Sequence, residues 1–268
     1  MENLSIFIES GANQTIKLTA SLFEKKGREK SGLFVIEGER FVSELLAGDV
    51  PVQPSYFMAA EGFAQKRDMA AYETAAPLYI VRDAAFKQLS DVETPQGILA
   101  VCKQRHCAPE DLCTGDAPIL LVLEEMQDPG NVGTILRTAD AAGLDGVILS
   151  AGAADVYNPK VLRAAAGALF RIPVAAGCDL AAVIPMLQAH SISVYAAVAD
   201  TGCAPYACDF TRGTAVLIGN EARGLSAEAA ALADTRITLP MPGRAESLNA
   251  AMAGGILVYE AVRQRQVL

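Results

Sequence analysis

Three segments of this sequence combine glycine or proline with polar side chains in spacings that could bind a ligand and act on it. Residues 128–137 read DPGNVGTILR, residues 217–226 read LIGNEARGLS, and residues 239–249 read LPMPGRAESLN. Glycine allows another backbone or a ligand to approach closely, and proline fixes an extended, sharply turned chain. The carboxylate, carboxamide and guanidinium groups between them could orient a substrate and help to remove its proton.

Each segment also has a purely structural interpretation. Asn131 is a good helix N-cap, which would leave Arg137 as a surface arginine on a capped helix. The second segment could be a turn that leads to an N-cap at Ser226, and Ser247 or Asn249 could cap the terminal helix. Capping does not explain the two prolines of the third segment, nor the carboxylate and arginine between the two glycines of the second.

The elements around these segments predict an α/β fold with a mostly parallel sheet covered on both faces. Continuous apolar runs at 119–123 and 215–218 indicate buried strands, and helical patterns cover 131–142, 159–169 and 248–265. Strands that alternate with helices are typical of parallel sheets. Because each segment follows a predicted strand, all three could share one crevice at the carboxyl ends of the strands.

Changes of composition divide the chain into two domains. Residues 1–103 alternate short helices, one of them over 18–26, with short strands, which indicates a small α/β domain. Residues 104–116 are polar, contain proline and glycine and show no periodicity, as expected of a linker. The second domain covers 117–268 and contains all three segments.

Composition and motif content exclude several classes of protein. The 268 residues are 51% hydrophobic, enough to bury a sizeable core, yet no apolar run reaches the roughly 20 residues that a membrane helix needs. The net charge of −9 argues against a broad basic surface for nucleic acid. A local cluster with a charge of +3 occurs over 17–30, where five basic residues face two acidic ones; it could contact RNA or form a solvated helix face. The phosphate-binding patterns GxGxxG and GxxxxGK[ST] are absent, as is GxSxG.

The cysteines indicate free thiols. Six are present without a CxxC pair, and the spacing of Cys102, His106, Cys107 and Cys113 fits no common zinc pattern. We therefore expect no metal. The amino-terminal sequence MENLSIFIES has neither a basic leader nor an apolar core, so a cytoplasmic location is expected.

Taken together, the three segments resemble the motifs of the SpoU (TrmH-type) RNA 2′-O-ribose methyltransferases of the SPOUT class, over residues 117–268. Residues 17–101 resemble the accessory substrate-binding domain of that family, a small ribosomal-protein-like α/β fold, through LFVIEG at 33–38 and TPQGI at 94–98. The resemblance implies a trefoil knot in the C-terminal domain, S-adenosylmethionine as cofactor, and RNA, most simply rRNA, as partner. A tRNA ribose methyltransferase and a catalytically idle RNA-binding protein are the alternatives.

The resemblance also implies a homodimer built by residues 117–268. An apolar helix over 248–259 with small residues at 250, 251, 253, 254 and 255 could allow the close approach of a second copy, or pack on the protein's own sheet.

By position in the motifs, the resemblance assigns roles to individual residues. The catalytic set is Asn131, Arg137, Glu221, Ser247 and Asn249, and the cofactor-binding set is Gly219, Asn220, Leu239, Met241 and Leu248. The sequence departs from the family at Ala250 and Ala251, where the family often has Val-Ser. In the implied reaction a ribose 2′-oxygen takes the activated methyl group of the cofactor and loses its proton. Arg137 could act as the base or clamp a phosphate and stabilise the alkoxide, and Glu221 could orient Arg137 or accept the proton.

Overall fold

The computed structural model describes residues 5–48 and 50–266. The chain folds into two compact units. Unit 1 contains Met1–Arg105 and Tyr157–Pro159, and unit 2 contains His106–Val156 and Lys160–Leu268. Among the described residues, no helix combines the length and the hydrophobicity needed to cross a bilayer.

Unit 1 is a five-stranded mixed sheet with short helices. The strands are β1 (Ile6–Ile8), β2 (Leu33–Glu37), β3 (Pro54–Ala60), β4 (Leu78–Val81) and β5 (Ile98–Lys103), in the order β1-β4-β3-β5-β2. The helices are α1 (Gln14–Ser21), α2 (Lys25–Ser31), α3 (Glu39–Ala47), α4 (Glu61–Ala64), α5 (Ala70–Ala75) and α6 (Asp83–Phe86). Strand β5 pairs antiparallel with both β2 and β3. The end of β2 and the start of β5 therefore lie side by side.

The prediction of one helix over 18–26 is wrong, because the chain turns between α1 and α2. Arg28 is only 2% exposed, and its Nη1 donates hydrogen bonds to the carbonyl oxygens of Leu22 (2.7 Å) and Phe23 (3.0 Å). These carbonyls follow the end of α1, where helical partners run out. Arg28 is thus a structural residue and cannot belong to a basic RNA-binding surface over 17–30.

Unit 2 contains the parallel sheet that the sequence predicts. Its strands are β6 (Ile119–Leu123), β7 (Gly146–Ser150), β8 (Val174–Cys178), β9 (Ser193–Ala197), β10 (Thr214–Ile218) and β11 (Thr235–Ile237), in the order β11-β9-β10-β6-β7-β8. The helices are α7 (Pro129–Ala142), α8 (Pro159–Ala165), α9 (Ala168–Arg171), α10 (Leu180–Ala189), α11 (Ala227–Leu232) and α12 (Ala250–Gln266). Every residue of β6, β7 and β10 is buried, as continuous apolar runs require.

The strand order places a switch point between β6 and β10. From β6 the chain proceeds through β7 to β8 on one side, whereas β9, β10 and β11 fill the other side. In open α/β sheets ligands bind at such a point, beyond the carboxyl ends of the strands. The segments that follow β6 and β10 are the first two of the three motif segments.

Candidate active site

The first motif segment begins helix α7, but with a different cap from the expected one. Asp128 is the N-cap, and its Oδ1 accepts a hydrogen bond of 2.8 Å from the backbone N–H of Asn131. Pro129 follows at the first helical position, where proline has no N–H to lose. The prediction of Asn131 as N-cap is therefore wrong. As a result, the Asn131 side chain is available for contacts outside its own helix.

Asn131 joins the three motif segments through its carboxamide. Its Nδ2 donates to Glu221 Oε1 at 3.1 Å, and its Oδ1 accepts from Asn249 Nδ2 at 2.9 Å. We refer to Asn249, Asn131 and Glu221 as the polar relay. The backbone N–H of Asp128 adds a bond of 3.3 Å to the same Glu221 oxygen. Two donors on one carboxylate oxygen hold the Glu221 side chain in a defined orientation.

The second motif segment closes on itself immediately after β10. The backbones of Asn220 and Gly224 exchange hydrogen bonds of 3.0 and 2.8 Å, and Gly224 has a φ of +69°. A side chain at Gly219 would overlap the carbonyl carbon of Gly224 and the nitrogen of Leu225. Glycine is therefore required at 219 by the folded-back loop.

The two acidic residues that follow β6 fix this loop from outside the motifs. Glu124 accepts bonds of 2.7 Å from both the backbone N–H and the hydroxyl of Ser226. Glu125 forms an ion pair with Arg223, and its carbonyl accepts from Asn220 Nδ2 at 2.8 Å. Neither glutamate was predicted from the sequence. Their position directly after a predicted buried strand was the signal that the sequence offered.

A cavity of about 350 Å³ lies at the carboxyl ends of β9, β10 and β11. All five residues assigned to cofactor binding line it, together with Glu221 and Ser247 of the catalytic set: Gly219, Asn220, Glu221, Leu239, Met241, Ser247 and Leu248. Val198 and Ala199 also line the cavity and were not predicted to do so. They lie directly after β9, which ends at Ala197, so the rule that ligands bind beyond strand ends would have included them.

The third motif segment supplies irregular backbone to this cavity. Residues 239–249 form no helix or strand, and no backbone N–H among them donates a hydrogen bond within the part of the chain that the structure describes. Asn249 then caps α12, since its Oδ1 accepts from the N–H groups of Ala251 (2.9 Å) and Met252 (3.2 Å). Of the two expected caps, Asn249 and not Ser247 is used.

Arg137 is separate from the rest of the catalytic set. It lies on α7, is exposed to solvent and is not among the residues that line the cavity. Within residues 5–48 and 50–266 it forms no ion pair or side-chain hydrogen bond. Its guanidinium group is therefore free to bind an incoming anion.

The described residues contain no group of three or more His, Cys, Asp or Glu side chains that could hold a metal ion. Cys102 is buried, and burial raises the pKa of its thiol far above the usual range. Burial also raises the pKa of the Cys113 thiol, with a further contribution from the charge of Glu110. Both thiols therefore stay protonated at neutral pH.

Comparison with known proteins identifies the family. The model of the SpoU rRNA Methylase family matches residues 118–259. The chain belongs to this family. A second model, the MRM3-like substrate binding domain, matches residues 13–100, so this SpoU-family protein also carries the accessory domain that its sequence resembles.

Relatives of the SpoU-family protein extend over nearly its whole length. It is 38% identical to the 23S rRNA (guanosine(2553)-2'-O)-methyltransferase RlmP of Bacillus subtilis, over 94% of this chain and 97% of the relative. It is 30% identical to the 23S rRNA (uridine(2479)-2'-O)-methyltransferase of Streptomyces viridochromogenes, over 92% and 88% of the two chains. The crystal structure of the SpoU methyltransferase AviRb from that organism, in complex with AdoMet, has a TM-score of 0.84 at 28% identity and covers 95% of this chain and 99% of that chain.

Proposed function

We propose that this SpoU-family protein transfers a methyl group from S-adenosylmethionine to a ribose 2′-hydroxyl group of 23S rRNA. The observation that carries the proposal is the convergence of the three motif segments at the sheet's switch point, where Asn131 links Glu221 to Asn249. Relatives named as 23S rRNA 2′-O-methyltransferases match almost the full chain. The substrate in these names supports an rRNA enzyme over a tRNA enzyme.

The cavity beside the relay fits S-adenosylmethionine. Apolar side chains, among them Ile218, Leu239 and Leu257, line it and suit the faces of an adenine ring. The backbone N–H groups of 239–249 have no acceptor among the described residues, so they can donate to its heteroatoms. When bound, the cofactor supplies a methyl group that its sulfonium already activates. Gly219, Asn220, Leu239, Met241 and Leu248 would hold it, largely through their backbone.

Glu221 is the residue best placed to receive the proton of the 2′-hydroxyl group. Its Oε1 takes the bonds from Asn131 and the Asp128 backbone, whereas its Oε2 accepts no hydrogen bond from the described residues. The relay thus orients a carboxylate with one oxygen still available. Arg137, which has no ion-pair partner among the described residues, would bind a phosphate or the developing alkoxide. Ser247 and Asn249 would help to position the ribose and the relay.

Methyl transfer to unmodified RNA tests this proposal directly. Transcribed 23S rRNA, 16S rRNA and tRNA should be incubated with the protein and the tritiated cofactor, then hydrolysed with alkali. We expect label only in 23S rRNA and recovered in an alkali-resistant dinucleotide, because 2′-O-methylation blocks cleavage at that position. Cofactor binding without transfer to any RNA would indicate an idle RNA-binding protein. Label in tRNA alone would show that the substrate class is wrong.

A homodimer is also part of the proposal, and α12 provides its surface. Met252, Ile256 and Tyr259 are 59%, 44% and 50% exposed, and their spacing of four and three residues places them on one face of the helix. The small residues Ala251 and Gly254, by contrast, are buried against the protein's own sheet and helices. An obligate interface would bury on the order of 2,000 Å² or more.

Light scattering at micromolar concentration tests the dimer. We expect the parent protein to have twice the chain mass, and Ile256→Glu to have the mass of one chain, because a charge in an apolar interface has no partner. A monomeric parent would refute the dimer. A cytoplasmic location, where rRNA is available, completes the proposed function.

A further inference from the structure

Unit 1 has a cavity that the methyl-transfer site does not explain. Its volume is about 570 Å³, and its walls include Glu39, Phe63, Lys66, Arg67 and Gln96. The two segments of the accessory domain that the sequence analysis singled out, 33–38 and 94–98, meet here, because β2 and β5 pair antiparallel and the N–H of Gly38 donates to the carbonyl of Ile98 at 3.1 Å.

Arg67 is held in this cavity as a flat, fixed surface. Its Nε and Nη2 donate to the two carboxylate oxygens of Glu39 at 3.0 and 3.4 Å. The guanidinium carbon Cζ lies over the ring of Phe63, 5.5 Å from the ring centroid, and Phe63 in turn packs close to Gly97. The Arg67 side chain is still 49% exposed. Its orientation is thus set by hydrogen bonds along one edge and by contact with the ring, while about half of the side chain stays accessible.

Two further side chains equip the cavity with polar groups. Gln96 Oε1 accepts a bond of 2.8 Å from the backbone N–H of Glu39, which fixes the carboxamide and leaves its Nε2 without an acceptor among the described residues. Lys66 is exposed and, within the same residues, makes no ion pair. The cavity therefore presents one flat guanidinium surface, one oriented amide donor and one free ammonium group. The carboxylates of Glu39 and Asp83 also line it and accept from Arg67 and from the backbone N–H of Gly62.

We propose that this cavity binds a single unpaired nucleobase of the RNA substrate. The base would stack on the exposed part of the Arg67 guanidinium, accept a hydrogen bond from Gln96 Nε2 and place its phosphate near Lys66. Proteins recognise splayed-out RNA bases by stacking on aromatic rings and guanidinium planes. The inference rests on the proposed function, in that the ligand is part of an RNA.

The engagement of Arg67 with Glu39 favours a base over a phosphate as the group that Arg67 recognises. Bidentate binding of a phosphate uses two N–H groups along an edge of the guanidinium. Here the Nε–Nη2 edge already donates to Glu39, and Nη1 donates to the carbonyl oxygen of Lys66 at 3.4 Å. The pair also offsets the charge of Arg67. The planar face takes no part in these hydrogen bonds, and its interaction with a base depends on shape and stacking. A concave pocket of this kind accepts a base that has left its helix, whereas a base within a duplex cannot enter it.

Substitutions of Arg67 test the stacking surface. Arg67→Ala removes both the charge and the plane, and Arg67→Lys removes only the plane. Using transcribed, unmodified 23S rRNA in filter-binding assays, we expect both to weaken binding about tenfold, within the range found when a base-stacking side chain is deleted. Parental affinity of Arg67→Lys would overturn the proposal, because charge alone would then be sufficient. Parental affinity of Arg67→Ala would overturn it as well.

Unit 1 offers a matched control in Arg82. It also forms an ion pair with a glutamate, Glu9 at 3.5 Å, and lies over a phenylalanine ring, Phe7 at 6.0 Å. It is 55% exposed and does not line the cavity. Arg82→Ala causes the same change of charge and should bind the rRNA within twofold of the parent. An equal loss in Arg82→Ala would show a diffuse electrostatic effect and overturn the proposal.

Photo-crosslinking provides an independent readout that does not depend on methyl transfer. A 23S rRNA transcript containing 4-thiouridine should crosslink to the peptide that spans residues 61–67, and Arg67→Ala should lose that adduct while its thermal unfolding and cofactor affinity stay parental. Adducts confined to other peptides would refute the site. If the parent binds the transcript but methylates no RNA, the proposed function fails, and the binding and crosslinking results still decide this inference.

Discussion

Asn249 has two functions that one substitution can separate. Its Oδ1 caps α12 through the N–H groups of Ala251 and Met252, and its Nδ2 donates to Asn131 within the polar relay. Asn249→Asp keeps the capping oxygen and replaces the relay donor with a second oxygen. Asn249→Ala removes both functions. The pair of variants therefore distinguishes stabilisation of the helix from orientation of Glu221.

The expected magnitudes follow from these contacts. Loss of an N-cap costs about 1 kcal/mol, whereas a carboxylate at a helix N-terminus caps equally well and gains a few tenths of a kcal/mol from the helix dipole. In the relay, the new carboxylate would face Asn131 Oδ1 across a contact of 2.9 Å. If the Asn131 amide turns to donate to it, the carbonyl oxygen of Asn131 then faces Glu221. Two hydrogen bonds at about 0.5–1.5 kcal/mol each correspond to a loss of about 5- to 150-fold in rate.

Single-turnover methyl transfer and urea unfolding measure the two effects separately. We expect Asn249→Asp to unfold like the parent and Asn249→Ala to be less stable by about 1 kcal/mol, with both slow in methyl transfer. Asp179 caps α10 by accepting from the N–H of Ala181 at 3.1 Å, away from the relay. Asp179→Ala is therefore the control that should lose stability alone. A parental rate for Asn249→Asp would refute the relay and reduce Asn249 to a helix cap.

Three further predictions concern other parts of unit 2. Arg137 lies outside the cavity, so Arg137→Ala should bind the cofactor within a few-fold of the parent by calorimetry and lose methyl transfer by roughly 10²-fold or more. Partial rescue of the rate by Arg137→Lys would favour electrostatic stabilisation, whereas no rescue would favour a bidentate clamp or an arginine base. A parental rate for Arg137→Ala would exclude a catalytic role. Gly219→Ala should weaken cofactor binding at least about tenfold, since the new methyl group overlaps the backbone of Gly224, whereas Gly243→Ala, where a Cβ would meet nothing within 4 Å, should bind like the parent. Hydrogen bonds from the Arg263 side chain, helped by Gln264, lower the pKa of Glu260 from an ordinary 4.5 to about 2. A lowered folded-state pKa contributes stability above pH 4.5 that is lost as the pH falls towards 2. Glu260→Gln should therefore flatten the dependence of the unfolding free energy on pH between 4.5 and 2, measured by urea unfolding, and an unchanged pH dependence would contradict this.

The parallel sheet could be predicted from sequence because its strands are buried on both faces. Residues 119–123 and 214–218 are uninterrupted apolar or small side chains, and in the structure they are fully buried and hydrogen-bonded to each other as β6 and β10. The common position of the motif segments after strands was enough to predict one shared crevice. The trefoil knot, which only the resemblance implies, stays a prediction.

Local signals failed where two residues competed for one role or where tertiary contacts broke a helix. Asp128 and Asn131 are both good N-caps, and Pro129 decides between them by fitting the first helical position after Asp128. The break between α1 and α2 depends on Gly27, where a Cβ would overlap the carbonyl of Ser21. A pattern of apolar spacing contains neither piece of information.

The contacts within the site could not be predicted because they join residues far apart in the chain. Asn131 is 90 residues from Glu221 and 118 from Asn249, so no local periodicity relates them. The resemblance places all three in one site, and only the structure shows that Asn131 is the member that contacts both others.

Glu124 and Glu125 show how the rigidity of a motif can depend on residues outside it. In sequence they are two acidic residues after a strand, a pattern typical of a solvated loop. In the structure β6 lies beside β10, so both glutamates reach the loop that follows β10: Glu124 binds Ser226 at its far end, and Glu125 binds Asn220 and Arg223 within it. A loop fixed in this way by the protein itself loses little conformational freedom when a ligand binds. The motif supplies the groups that face the cavity, and the neighbouring strand holds them in place.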